Sequence, residues 1–175
     1  RQMCIRDRFS PNGDIIATQH ERKIMFWDVK GNQLGEIQVG EVSRFQFSLT
    51  LSPNNELVAT EKDSDSHVIV WDIAGNQLGT LPARSKRDTK VMFSRNGEWI
   101  VTDSDDGIVK LWDRKGNFVA KLEENCRWCS FFESPDSKIL AVADRGEEST
   151  SFWNWEGKQL DHIEGSIQFF TPDYY

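Results

Sequence analysis

Among the side chains able to do chemistry, the most tightly spaced pair is in the stretch Cys126-Arg127-Trp128-Cys129. Two thiols at that spacing suit zinc or a redox couple. No second Cys or His pair accompanies them, and on a strand residues three apart point to opposite faces, which favours a purely structural role. With Cys4 they make three cysteines, too few and too unevenly placed for a disulfide framework, so a reducing compartment fits. His20, His67 and His162 are scattered along the chain with no spacing suited to a metal or a triad, and read as surface histidines.

Carboxylates are the remaining candidates, and they cluster: Glu61, Asp63 and Asp65; Asp103, Asp105 and Asp106; Asp144, Glu147 and Glu148. None forms the Asp-x-Asp-x-Asp-Gly loop ending in Glu that calcium takes. Two readings stand for them. The favoured one is solvated turns in which one Asp holds its own hairpin, and the other is a rim that meets a partner. No catalytic, metal-binding or cofactor-binding residue is assigned, and neither an enzyme nor a cofactor is expected.

The composition narrows the partners. Hydrophobic residues make up 38% of the 175 and aromatics 11%, enough to bury a core. The formal net charge of −7 opposes contact with phosphate backbones and anionic lipid, so proteins are expected as partners rather than nucleic acid or membrane. No apolar run reaches the roughly 18 residues of a spanning helix, and the start lacks a signal-peptide apolar region, which predicts a cytoplasmic protein. Residues 1–8 match nothing later in the chain and are read as a non-native leader, with position 9 as the first to contribute.

What must position the clusters is a repeat. Trp27, Trp71, Trp112 and Trp153 lie 44, 41 and 41 residues apart, followed by Asp28, Asp72, Asp113 and, in the fourth, Asn154. A turn follows each pair at fixed offset, with Gly31, Gly75, Gly116 and Gly157 supplying the positive φ of a hairpin. A second turn precedes each tryptophan: Pro11-Asn12-Gly13-Asp14, Pro53-Asn54-Asn55-Glu56, Arg95-Asn96-Gly97-Glu98 and Pro135-Asp136-Ser137-Lys138. Between the turns lie short β-forming runs, several apolar at consecutive positions, which predicts strands buried on both faces. In the third repeat the strands are predicted at about 89–93, 98–103, 108–112 and 118–122. Four strands per period is the arithmetic of stacked four-stranded antiparallel blades.

These motifs, in register four times over about residues 9–170, resemble the WD-repeat family of β-propellers. The closest matches are Phe9-Ser10-Pro11-Asn12-Gly13 and Ser104-Asp105-Asp106-Gly107-Ile108-Val109-Lys110-Leu111-Trp112-Asp113. The Trp-Asp-x-x-Gly-Asn-x-Leu form is similar to bacterial members, whose repeats often follow a signalling or NTPase domain. The resemblance implies an all-β fold, a partial propeller of about four blades. The repeats run about 9–43, 44–86, 87–125 and 126–165, with the start of a fifth at 166–175. Family propellers close with about seven blades, which at this period takes roughly 290 residues, so the chain is expected to be a piece of a longer protein.

One departure stands out. The family's Gly-His dipeptide is absent from every repeat, so its His, Ser/Thr, Asp and Trp network is incomplete. What matches is Thr60 with Asp65 and Trp71, and Thr102 with Asp106 and Trp112. Glu21 and Glu147 stand at the Asp position in repeats one and four, where less rigid blades are expected.

The resemblance also places the acidic loops on one end of the propeller with the outer-to-inner connections, which carry Arg44, Arg84, Lys86, Arg87 and Arg127. That makes Arg44, Asp63, Arg87, Asp105, Arg127, Trp128 and Arg145 the candidate partner-binding residues. The expected function is a non-catalytic protein-interaction scaffold within a larger multi-domain signalling protein, able to self-associate if made alone. The alternative is a propeller sensor or hydrolase or lyase with a ligand or metal in its central channel, which predicts Asp, Glu, Asn or His pointing inward from several inner strands. The inner strands read at 44–51, 89–93, 127–132 and 166–170 carry no Asp, Glu or His.

Overall fold

The computed structural model describes residues 7–20, 22–39, 49–62, 67–82, 89–104, 106–126 and 129–164. They form sixteen strands in four antiparallel sheets of four. The first sheet holds β1 (Asp7–Phe9), β2 (Ile15–His20), β3 (Lys23–Asp28) and β4 (Gln33–Gln38); the second holds β5 (Leu49–Leu51), β6 (Leu57–Lys62), β7 (His67–Asp72) and β8 (Gln77–Pro82). The third holds β9 (Lys90–Phe93), β10 (Trp99–Asp103), β11 (Val109–Asp113) and β12 (Phe118–Glu123), and the fourth β13 (Cys129–Glu133), β14 (Leu140–Asp144), β15 (Ser149–Trp153) and β16 (Gln159–Glu164). Each sheet is a simple meander in chain order, so each repeat builds one blade of a partial β-propeller.

The strands read from the third repeat lie within a residue of those observed. Three details differ elsewhere. The inner strand of the first blade begins at Asp7, so the last two residues of the leader pair with β2, Asp7 opposite Thr18 and Arg8 opposite Ala17. Backbone pairing asks for no particular side chain, and a segment unlike the other repeats can still make it. Cys126 precedes its blade, whose inner strand opens only at Cys129; the alternation that was to keep the two thiols apart therefore does not apply, and they form a disulfide with Cα atoms 5.8 Å apart. The inner strands also carry acids after all, Asp7 in β1 and Glu133 at the end of β13. Arg44 and the fifth inner strand at 166–170 lie outside the described residues.

The core is not one mass. Three apolar clusters lie between successive blades. Ile15, Ile24, Phe26 and Ile37 of the first blade meet Leu49, Leu51 and Val58 of the second. Leu57, Val68, Val70 and Leu81 meet Phe93, Ile100 and Trp112 of the third, and Val101, Val109, Leu111 and Leu122 meet Leu140, Val142 and Trp153 of the fourth. Central strands serve two clusters at once: Leu57 and Ala59 face one way, Val58 the other, and all three are buried. This is why those runs are apolar at every position rather than every second one. Large apolar side chains left exposed include Phe9 on the first blade and Leu160 and Ile163 on the last.

Close approach between blades demands glycine at two equivalent places. A Cβ at Gly35 would lie 2.2 Å from the Ile73 carbonyl oxygen, and one at Gly79 would lie 2.1 Å from that of Lys115. The outer strand of each blade thus rests on the third-to-fourth-strand turn of the next.

Candidate functional site

Each signature tryptophan donates its indole N–H to a hydroxyl. Trp27 Nε1 reaches Thr18 Oγ1 at 2.8 Å, Trp71 reaches Thr60 at 2.8 Å, and Trp112 reaches Thr102 at 2.9 Å. Thr18 was missed because it precedes its tryptophan by nine residues, against eleven for Thr60 and ten for Thr102. Counted from the serine of the preceding turn, all three stand at the eighth position after Ser10, Ser52 and Ser94. At that position the fourth blade has Val142. Its cross-strand partner Ser151 supplies the hydroxyl instead, accepting from Trp153 at 2.7 Å and donating to Glu123 of the third blade.

Those serines are a further signal that the sequence held. In every blade the serine hydroxyl donates to the Asn or Asp two residues on, at 2.6 to 2.8 Å, and accepts the amide five residues on, at 2.9 to 3.0 Å. The turn is thereby closed by its own side chains.

The aspartates of the signature are equally committed. Asp28 accepts from the Lys30 and Asn32 amides at 2.9 and 2.8 Å and from the Asn32 side chain at 2.7 Å. Asp72 takes both Asn76 donors at 2.8 Å, and Asp113 both Asn117 donors at 2.8 Å. The Asn32 side chain is the main cause holding the Asp28 carboxyl below its ordinary pKa. At Asp72 and Asp113 partial burial pushes upward, and the bonds from Asn76 and Asn117 outweigh it, leaving both lowered. In the fourth blade Asn154 accepts the Lys158 amide at 2.8 Å.

The two ends of the propeller segment differ. At the end holding the Ser and Asp turns, blades are laced together. Arg114 pairs with Glu56 of the second blade at 2.9 Å and Glu98 of its own at 3.0 Å. Asn54 donates to the Asn96 carbonyl at 2.9 Å, and the Arg95 amide to Glu133 at 2.8 Å. Trp99 stacks on Trp155 across the third and fourth blades, with ring centroids 6.4 Å apart.

The opposite end gathers the second-to-third-strand loops with the outer-to-inner connections. The Cys126 amide donates to Gly107 O at 3.0 Å, and the Thr89 amide to Glu61 at 3.0 Å. Of the acidic clusters, Glu61 holds that amide, Asp144 accepts from the Gly146 amide at 2.7 Å, and Asp106 accepts from the Ile108 amide at 3.0 Å and pairs with Lys110 at 3.1 Å. Asp106 thus holds its own hairpin rather than joining the Thr102–Trp112 pair. Arg145, Glu147 and Glu148 are exposed on the β14–β15 turn. Arg44, Asp63, Asp65, Arg87, Asp105, Arg127 and Trp128 fall outside the described residues. Among the described residues no group of three or more His, Cys, Asp or Glu is placed to hold a metal.

The repeat and its geometry define a class of fold, the partial β-propeller of four-stranded blades. Residues 75–113 match the family model described as WD domain, G-beta repeat. That match spans one of the four periods, and the chain is similar to the family in the other three, which carry the same motif in register. Among curated relatives it is 26% identical over 147 residues to the U3 small nucleolar RNA-associated protein 21 homolog of Schizosaccharomyces pombe, covering 81% of this chain and 16% of that protein. It is also 26% identical over 141 residues to the COMPASS component SWD3 of Saccharomyces cerevisiae, covering 77% of this chain and 43% of the other. The chain therefore spans less than half the length of either relative. Among solved structures it is similar to the computationally designed Ika8 protein, with a TM-score of 0.64 at 19% identity over 94% of this chain and 52% of that one. A KlHsv2 variant with loop 6CD replaced by a Gly-Ser linker gives a TM-score of 0.62 at 10% identity, covering 90% and 58%. At these identities the structural likeness concerns the fold alone.

Proposed function

We propose that these blades are a non-catalytic scaffold in a larger multi-domain signalling protein of the cytoplasm, presenting the loop-rich end to a protein partner. The observation that carries the reading is that the signature groups are spent inside the blades. The threonine and serine hydroxyls serve the indoles, and the aspartates serve their own turns. A frame whose signature polar groups are internally matched leaves recognition to side chains on the connections, where Arg and Trp are the customary anchors. The name of one curated relative, a COMPASS component, supports the same reading, while the other is named for association with an RNA.

The test is quantitative affinity capture with the full chain, comparing Arg44→Glu, Arg87→Glu and Arg145→Glu with Lys115→Glu at the opposite end. The expected result is a set of proteins lost with the first three substitutions and kept with the fourth, at unchanged circular dichroism. Capture insensitive to all three arginines would overturn the proposal.

A further inference from the structure

We propose that the two outward faces of this row of blades are matching halves of one seam, and that their partner is a second copy of this chain, the fourth blade of each seating on the first blade of the other. The inference concerns the end faces and does not rest on the scaffold reading.

The internal seams are built from repeated positions. The earlier blade contributes the residue five after its turn serine and the tenth after its signature tryptophan, as Ile15 and Ile37 do in the first blade and Leu57 and Leu81 in the second. The later blade answers with the residue before its own turn serine, Leu51 or Phe93. It adds the second residue after its tryptophan, which reaches back each time: Ile73 packs on the first blade, Arg114 pairs with Glu56 of the second, and Trp155 stacks on Trp99 of the third.

The first blade carries a receiving set that no internal seam uses. Phe9 and Val29 hold the positions of Phe93 and Ile73, yet they are 67% and 65% exposed, and Ile16 and Trp27 on the same face are only half-buried. The fourth blade carries a seating set. Ile139 stands where Leu57 does and Ile163 where Leu81 does, and they are 36% and 42% exposed while their counterparts are fully buried. Each face thus presents what the other lacks, and burying both removes apolar surface from water at no new design. Because one face receives and the other seats, copies join head to tail, a contact that either closes or runs on as a stack. Four blades cover 52% and 58% of the two solved chains of like fold, so two copies hold slightly more than one such chain, which favours closure at two.

One position sets the strength of the contact. Opposite the residue before each tryptophan, the outer strand carries Gly35, Gly79 and Ala120 in the first three blades. All three lie against the turn of the following blade, and the Ala120 methyl fits because Gly157 leaves it room. In the fourth blade that place, opposite Phe152, is Asp161. The turn that would receive it in a second copy is Val29-Lys30-Gly31, where the space around the Gly31 Cβ position is open. The Asp161 Cβ can therefore enter as that of Ala120 does. Its carboxylate stands where the internal seams hold nothing larger than a methyl, which makes this seam the weakest and the association reversible.

The experiment follows the mass of the 175-residue chain by light scattering over a concentration series. The expected result is a rise from one chain to two and no further. Asp161→Gly, which copies Gly35 and Gly79, should move the midpoint to a roughly tenfold lower concentration. In that background, Phe9→Asp on one face and Ile163→Asp on the other should each hold the chain at one copy. Circular dichroism should not change, because both side chains are already exposed; Val29→Glu repeats the test in a turn should Phe9→Asp disturb its strand. Mixed in equal amounts, the Phe9→Asp and Ile163→Asp chains should recover a two-chain species, since each keeps the face that the other has lost. A chain that stays single at every concentration, growth past two copies, or an Asp161→Gly chain no tighter than its parent would each overturn the proposal. Loss of pairing from only one of the two faces would show like faces in contact, and a mixture that stays single would show no receiving-to-seating contact; either result also overturns it.

Discussion

Trp153 donates to Ser151, two residues back on its own strand, where the other three signature tryptophans donate to a threonine on the neighbouring strand. The hydroxyl has crossed one strand: Val142 took the threonine position, and Ser151, its cross-strand partner, took over the bond. Ser151→Ala should therefore unseat two partners, the buried Trp153 indole and the half-buried Glu123, and cost about 1–3 kcal/mol in denaturant unfolding. The double change Val142→Thr, Ser151→Val recreates the arrangement of the other blades and should recover part of that loss. The unrecovered part belongs to Glu123, and a double variant no better than Ser151→Ala would show that the indole bond contributes nothing.

Removing the hydroxyl from the other blades should cost according to burial. Trp112 is 4% exposed while Trp27 and Trp71 are only half-buried. Thr102→Val is expected to approach about 3 kcal/mol and Thr18→Val about 1 kcal/mol, because water can serve the more accessible indole. Equal midpoints for the two variants would contradict this.

The two classes of glycine should separate cleanly. Gly79→Ala drives a methyl into the Lys115 carbonyl and should cost about 3 kcal/mol, with the loss concentrated at the second-to-third blade junction. Gly31 has φ 85° but open space around its Cβ position, so Gly31→Ala meets only backbone strain of about 1 kcal/mol. Thermal melts of the two variants test the order.

Acid should loosen the third-to-fourth-strand turns. The folded pKa values of Asp28, Asp72 and Asp113 lie below the ordinary 3.8. Their contribution is therefore fully present above that value and is lost as pH falls through the lowered folded values. Asp113→Asn, which copies the fourth blade's Asn154, should flatten the decline in urea midpoint below about pH 4. A variant whose acid limb parallels the unsubstituted chain would assign the decline to other groups.

Much of this was legible because the repeat writes the same local rule four times. The Trp-Asp and Pro-Asn turns marked strand ends, and consecutive apolar residues at Leu57-Val58-Ala59 showed that both faces are covered. What failed depended on counting from the wrong landmark or on strand edges. Thr18 was hidden by a shorter hairpin loop, Ser151 by a swap that only cross-strand register shows, and the disulfide by assuming that Cys126 lay within the strand. The Arg114 bridge between Glu56 and Glu98 joins residues far apart in sequence, and no local pattern announces it. The partner-binding candidates drew on family placement of the loops, which a sequence period cannot supply.

The apolar clusters lie between sheets rather than within them, and from the second blade on the signature indole turns back to the sheet before it. The unit that a tandem duplication copies is consequently a seam as much as a sheet. Inserting or deleting one full period leaves every remaining internal seam with its Trp on one side and its aliphatic bed on the other. A cut out of phase with the period would instead strand half a seam on each side. Blade number in such a chain can drift by whole periods while the packing rule stays fixed, which reconciles four nearly uniform blades here with relatives of quite different length.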